Sequence, residues 1–350
     1  MIFDIRRHIT TILTAIAVVL LLTGCSSDTD APDSDAAVVR LAFFAEGQPS
    51  AMRALSASNW SQVNNLAVAI YDNGGNAIGY KREDSPTEVS SGLYQMDVNT
   101  HKATGCSIYA AANIAADLFG DGSKLTAVKE KKITRTALTD LADDTEVPMI
   151  GVYGSAVNIT GGTQAIGNVQ LKRVCSQIAL SITPGTDIII NSYQLCHVPL
   201  GTYYVEREPA DWTAPADYAD FAEVNASNST TTVTASYFVY ESLAGFATGL
   251  TAETDRYQAK APAEASYLLV GATGPGWKSV FRIYLGGLGV DGTLNHNDFN
   301  VYRNCQYTVK VRINGASSSD LRIDKSIEPL SLTTTIDPWG DNSQTPGGAK

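Results

Sequence analysis

The sequence predicts a mostly β protein, two tandem antiparallel β-sandwiches with one short helix in the first. Three observations carry that reading. Short runs of β-forming residues recur along the chain, separated by Gly, Asn, Asp and Pro. Only one segment shows convincing helical spacing. Charged residues make up 17% of the chain, below the roughly 25% usual for globular proteins, while 29 Gly and 16 Tyr suit short strands and turns. At about 150 residues per domain, 350 residues leave room for two cores, and a hydrophobic share of 44% excludes a chain disordered throughout. A net charge of −11 repels phosphate backbones and argues against nucleic acid as a partner.

The chain opens with Arg6 and Arg7 and an apolar run from Ile9 to Leu22, the pattern of a secretory signal over residues 1–24. It closes on Leu22-Thr23-Gly24-Cys25, which resembles a bacterial lipobox. The resemblance implies a lipidated Cys25 as the first mature residue. Asp28 and Asp30 suit either an export tag like that of Bacteroidetes surface lipoproteins or a solvated linker. Residues 26–36 read as an acidic tether.

The first strand is Val38 to Phe44, followed by the loop signal Glu46-Gly47-Gln48-Pro49-Ser50. Leu66 to Tyr71 is the next strand. It turns at Asp72-Asn73-Gly74-Gly75-Asn76, a hairpin cue, and Ile78 to Lys81 returns. Leu93 to Val98 and Ser107 to Ala112 follow. Ser123 is placed to cap a helix from Lys124 to about Leu141, with Leu125, Val128, Ile133, Ala137 and Leu141 near helical spacing. Beyond Pro148 the β rhythm returns at Met149 to Gly154, at Ala156 to Thr160, and in one alternating strand from Leu171 to Ile182. Ile188 to Ile190 and Tyr193 to Val198 come next, and 206–232 read as a long loop region. Tyr237 to Tyr240, Ser266 to Val270 and Val280 to Leu285 are strands. Gly286 to Gly289 is a turn, since no helix follows to make it a phosphate cradle. Tyr307 to Ile313 alternates with period two, and Leu330 to Ile336 is the last strand.

Little in the chain points to catalysis or a cofactor. Cys106, Cys175, Cys196 and Cys305 lack zinc spacing; export makes them candidate disulfide partners, and buried thiols are the alternative. His101, His197 and His296 have no metal-ligand spacing, and no nucleophile elbow is present. Asp140, Asp143, Asp144 and Glu146 lack the spacing of a calcium loop and read as a solvated helix end. The expectation is a non-enzyme without metal or cofactor.

Three segments resemble the fimbrillins, the pilus subunits of Bacteroidales. They are Ser50 to Leu55 with Leu66 to Asp72; Leu171 to Leu180; and Phe299 to Val311, similar to an R-N-x-x-Y-x-V-x-V strand. They stand in family order and span nearly the whole mature chain. The resemblance implies transthyretin-like sandwiches, a surface fimbrium, other fimbrillin subunits as partners, and an outer-membrane lipid anchor before processing. It also implies that an Arg-specific surface protease removes the first strand. Mapped here, that strand carries Val38, Val39, Leu41 and Phe43, and the scissile bond joins Arg53 to Ala54. The expected organisation is a propeptide at 25–53, sandwiches at 54–166 and 167–339, and a polar tail at 340–350. That tail departs from a stalk subunit's apolar donor strand, and Pro346 cannot donate to a ladder. A tip or accessory subunit mediating adhesion is the favoured reading. The alternative is a glycan-binding surface lipoprotein using Trp60, Trp277, Trp339 or, best placed, Trp212 in the Pro/Asp loop.

Overall fold

A computed structural model describes residues 35–45, 62–90, 92–114, 117–120, 122–141, 146–214, 217–287 and 293–315, and the backbone of 331–338. The strands lie in one unit, Ala36–Lys350. In the first half they are β1 (Ala36–Ala45), β2 (Leu66–Tyr71), β3 (Ala77–Glu83), β4 (Glu88–Ser90), β5 (Leu93–His101), β6 (Ala103–Ala112), β7 (Lys132–Thr134), β8 (Met149–Val152), β9 (Val157–Ile159) and β10 (Gly162–Arg173). The second half adds β11 (Cys175–Pro184), β12 (Ile189–Cys196), β13 (Val198–Pro199), β14 (Gly201–Tyr203), β15 (Tyr218–Ala219), β16 (Val224–Ser229), β17 (Val233–Tyr240), β18 (Tyr267–Gly274), β19 (Trp277–Tyr284), β20 (Cys305–Ile313) and β21 (Ser331–Pro338). The mostly β class read from the sequence is the class observed.

The first sheet runs in the order β3-β2-β6-β8-β10-β1-β5-β4, with β9 on β6. It forms two layers because β10 changes partner along its length. Residues 162–171 pair with β1, and only Lys172 and Arg173 pair with β8. Gly151 permits the crossing: a Cβ there would lie 2.7 Å from the Gln170 carbonyl oxygen. Leu66, Val68 and Ile70 of β2, Cys106 and Ile108 of β6, and the inward face of β1 fill the space between the layers. The opposite face of β2 carries Ala67, Ala69 and Tyr71, so this strand is buried on both sides. Its turn forms as expected: Asp72 accepts the Asn76 N–H at 2.8 Å, and Gly75 takes φ +74°.

Two four-stranded sheets follow, β17-β11-β20-β21 and β16-β12-β18-β19, around a core that includes Ile178, Leu180, Leu195, Val270, Tyr307 and Val309. A third cluster joins β2 and β6 to Val174, Cys175, Phe238 and Tyr240.

Several expectations need correction. The sheets are not wholly antiparallel: β1 pairs with β10, and β11 with β20, in parallel. Parallel neighbours require a long crossover, and local patterning does not reveal which distant strand closes it. The strand expected from Leu171 to Ile182 is two strands, broken at buried Val174, whose N–H donates to the Pro148 carbonyl. The change of sheets falls at Val174. The helix, α1, covers only Leu125–Lys129, and Lys124 stands at its N-cap in place of Ser123. Beyond it Ile133 joins β7, which pairs with β14; the stiff β-branched side chain suits a strand, and pairing overrides helical spacing. Asp140 closes a local turn, accepting from Thr136 and Ala137, and these bonds hold its carboxyl below the usual range. Asp143 and Asp144 lie outside the described residues. The loop region 206–232 contains β15 and β16.

Candidate functional site, the slot filled by the first strand

Alternation in Ala36–Ala45 sends every second side chain inward. Ala37, Val39, Leu41, Phe43 and Ala45 are buried, and Val39 and Phe43 expose 0% of their surface. Val38, the fourth residue named from the sequence, lies on the other face and is half-buried. On one side β1 runs antiparallel to β5, with Val39 opposite Val98, Leu41 opposite Met96 and Phe43 opposite Tyr94. On the other it runs parallel to β10, from Ala37↔Gly162 to Ala45↔Leu171. The first strand in the chain is thus an interior strand of its sheet.

The slot is shaped by more than apolar pockets. Opposite the Arg40–Leu41 step, β10 carries an extra residue: Arg40 pairs with Ala165 and Leu41 with Gly167. The bulge is held from below, where the Tyr153 hydroxyl donates to the Ile166 carbonyl at 3.1 Å. Gly167 takes φ +141°, a conformation open to glycine, and a Cβ there would meet Tyr153 at 3.3 Å. On the solvent face Arg40 sits directly across from Asp97 and donates twice, Nε to Oδ1 at 2.8 Å and Nη2 to Oδ2 at 2.7 Å. The paired Arg40 holds the Asp97 carboxyl below its ordinary range. No pattern in the sequence pointed to Asp97 or to the bulge, because both are defined only by strand pairing.

Without β1, β5 would keep β4 alone, and β10 would keep only Lys172↔Ile150 and Arg173↔Met149. Two rows of backbone donors and acceptors would face an empty channel, and unpaired buried groups of this kind are costly. Fully burying a Val, Leu or Phe contributes about 1.5–3 kcal/mol. Three such side chains leave with the strand.

The last strand is also paired. β21 lies antiparallel to β20 from Arg312↔Ser331 to Cys305↔Pro338.

The other resemblance segments meet at a buried polar junction. The Arg173 N–H and Nη1 both donate to Asn304 Oδ1 at 3.1 Å, and Asn304, at φ 56°, donates its N–H to the Cys175 carbonyl. Arg303 pairs with buried Glu241 at 2.6 Å and donates to the carbonyls of Tyr203 and Tyr204. The Arg303-Asn304 pair, in the turn just before β20, therefore stitches distant segments together.

The remaining sequence candidates disperse. Cys106, Cys175, Cys196 and Cys305 stand as free thiols, all four buried. Burial pushes the Cys175 and Cys196 thiols up to about 12. His101 is exposed, the His197 ring stacks on Tyr218 at 4.2 Å, and His296 lies 3.1 Å from Glu253. Among the described residues no cluster of His, Cys, Asp and Glu is arranged to hold a metal. Trp212 is no exposed platform: it is buried with Tyr203 and Leu243, and Trp277 packs half-buried on Phe281. Cys25, Arg53, Ala54, Trp60, Trp339 and the tail at 340–350 lie outside the described residues.

Comparison with known proteins follows this geometry. Residues 37–177, which take in the first sheet except for Ala36 at the start of β1, match the family model for the major fimbrial subunit protein (FimA). Residues 237–311 match a domain of unknown function (DUF4906). No curated protein sequence matches the chain. Among solved structures, a candidate cell adhesion protein from Parabacteroides distasonis is 18% identical at TM-score 0.58, covering 90% of this chain and 100% of its own. The tip fimbrial protein Mfa3 from Porphyromonas gingivalis, with a C-terminal truncation, is 15% identical at TM-score 0.56, covering 87% and 100%. A fimbrilin (FimA) from Porphyromonas gingivalis is 13% identical at TM-score 0.53, covering 87% and 98%. The resemblance to fimbrillins drawn from the sequence is thus shown, and at these identities the solved structures share the fold.

Proposed function

We propose that this chain is a structural, non-enzymatic subunit of a surface fimbrium that assembles by strand replacement. The observation that carries the reading is the position of β1, the earliest strand yet an interior one, with β10 left almost unpaired without it. Residues 46–61, which contain Arg53, form the covalent link from β1 to β2. In this reading the chain is exported, lipidated at Cys25 and held at the outer membrane. An Arg-specific surface protease then cuts between Arg53 and Ala54. The slot opens, and a strand from a neighbouring subunit restores both hydrogen-bond ladders and the apolar contacts, as in β-augmentation. A chain that keeps its own plug stays soluble and uncombined.

In this reading the subunit occupies the tip or an accessory position. β21 is engaged on β20, and beyond Trp339 the tail Gly340-Asp341-Asn342-Ser343-Gln344-Thr345-Pro346-Gly347-Gly348-Ala349-Lys350 has only Pro346 and Ala349 as apolar side chains. A subunit whose last strand stays on β20 accepts a strand without giving that one.

The test is N-terminal sequencing of protein sheared from the cell surface, with antibody labelling of the filaments. A start at Ala54, with label at filament ends, supports the proposal. A lipid-bearing Cys25 retained on assembled subunits overturns the processing step, and label along the whole shaft overturns the tip placement.

A further inference from the structure

We propose that the β1 slot is selective for a strand with a Lys or Arg facing Asp97 between the second and third of its inward apolar residues, and that it excludes the last strand of a second copy of this chain. The inference rests on the strand-replacement reading and names the partner strand's chemistry. The slot's geometry writes the pattern. Inward positions take small, Val, Leu, Phe, small, as Ala37, Val39, Leu41, Phe43 and Ala45 do. The outward position between Val and Leu takes the cation, where Arg40 makes its two bonds to Asp97. Once β1 has gone, Asp97 presents a carboxylate on the edge of β5 at the position where a new strand must dock.

Register makes this charge informative. A slip of one residue moves every side chain to the wrong face. The bulge at Ile166–Gly167 lies opposite the step from Arg40 to Leu41, so a strand out of register would meet a local irregularity made for another residue. The cation and the bulge therefore mark the same point along the slot.

The chain's own last strand does not fit. Its alternate positions read Leu332, Thr334, Ile336 on one face and Ser331, Thr333, Thr335, Asp337 on the other, with Pro338 ending the run. The first face would bury a hydroxyl in the middle pocket, and burying a polar group without a partner is unfavourable. Neither face offers a cation between apolar neighbours.

The experiment starts from the full chain nicked by an Arg-specific protease, which is then inhibited. Uptake of fluorescent peptides is followed by anisotropy at low ionic strength. The peptides are residues 36–45, the same with Arg40→Ala, Arg40→Glu or Phe43→Ala, and residues 331–338. The expected order is 36–45 tightest, Arg40→Ala about two- to fivefold weaker as for a single exposed ion pair, and Arg40→Glu weaker again. Phe43→Ala should lose about a hundredfold or more, and 331–338 should not bind. Asp97→Lys protein should reverse the preference, taking Arg40→Glu over the native peptide, and raised salt should shrink the difference. If no peptide enters the nicked protein, its own β1 included, the strand-replacement reading itself fails. If 36–45 enters but the Arg, Ala and Glu peptides are equivalent, or 331–338 enters equally well, that reading survives and the selectivity is overturned.

Discussion

Replacing Phe43 by Ala tests the whole account of the slot. Phe43 exposes none of its surface, lies between Val169 and Tyr94, and belongs to the core between the two layers of the first sheet. Truncating a buried Phe removes its transfer energy and leaves a cavity, at about 3–5 kcal/mol. Against a domain stability of about 5–15 kcal/mol that is a large fraction. Phe44 is the internal control. It is the same residue type one position on, half-buried on the opposite face, with Gln170 and not Val169 across from it. Phe44→Ala should cost about 1 kcal/mol, within the ordinary range for point mutants. Urea unfolding of the unprocessed chain is the assay, read as the midpoint at constant slope. Phe43→Ala should lower the midpoint well below that of Phe44→Ala. Equal shifts, or a larger one for Phe44→Ala, would refute the register of β1 and with it the pattern of the slot.

Three further outcomes are expected. Removing one partner of the buried Arg303–Glu241 pair, as in Arg303→Ala, strands a charge and should cost about 3–5 kcal/mol in thermal or urea unfolding; a change below about 1 kcal/mol would show that the pair is solvated. Asp97 has a folded pKa below its unfolded value of about 3.9, so its pairing adds stability that is present above that pH and lost as pH falls through the lowered value. Asp97→Asn should therefore be slightly less stable than the parent at neutral pH, by less than about 1 kcal/mol at this exposed site, and the gap should close in acid. Finally, protein lacking residues 1–25 should take four alkyl groups when unfolded without reductant, and Cys175 and Cys196 should resist labelling when native because burial keeps them protonated. Fewer than four labels would reveal a disulfide.

Local chemistry made much of the fold legible. The run Leu66 to Tyr71, its Asp-Asn-Gly-Gly-Asn turn and the period-two strand through Tyr307 and Val311 appear where alternation and turn residues put them, since side-chain period and backbone φ act over a few residues. The helix expected to Leu141 failed because Ile133 found a strand partner in Thr202, a contact between residues far apart in the chain. Trp212 was misjudged for a related reason: a loop rich in Pro and Asp looks exposed until Tyr203 and Leu243 are seen around it.

By itself, the sequence determined that this is a β-rich chain with a fimbrillin-like pattern and an alternating first strand, because composition and periodicity are local properties. Only the tertiary structure decided that this strand lies between β5 and β10, that Arg40 meets Asp97, and that Arg173 meets Asn304. Pairing partners and register come from the long-range closure of sheets, where distant segments compete for the same edge, and nothing in either segment alone records which one wins.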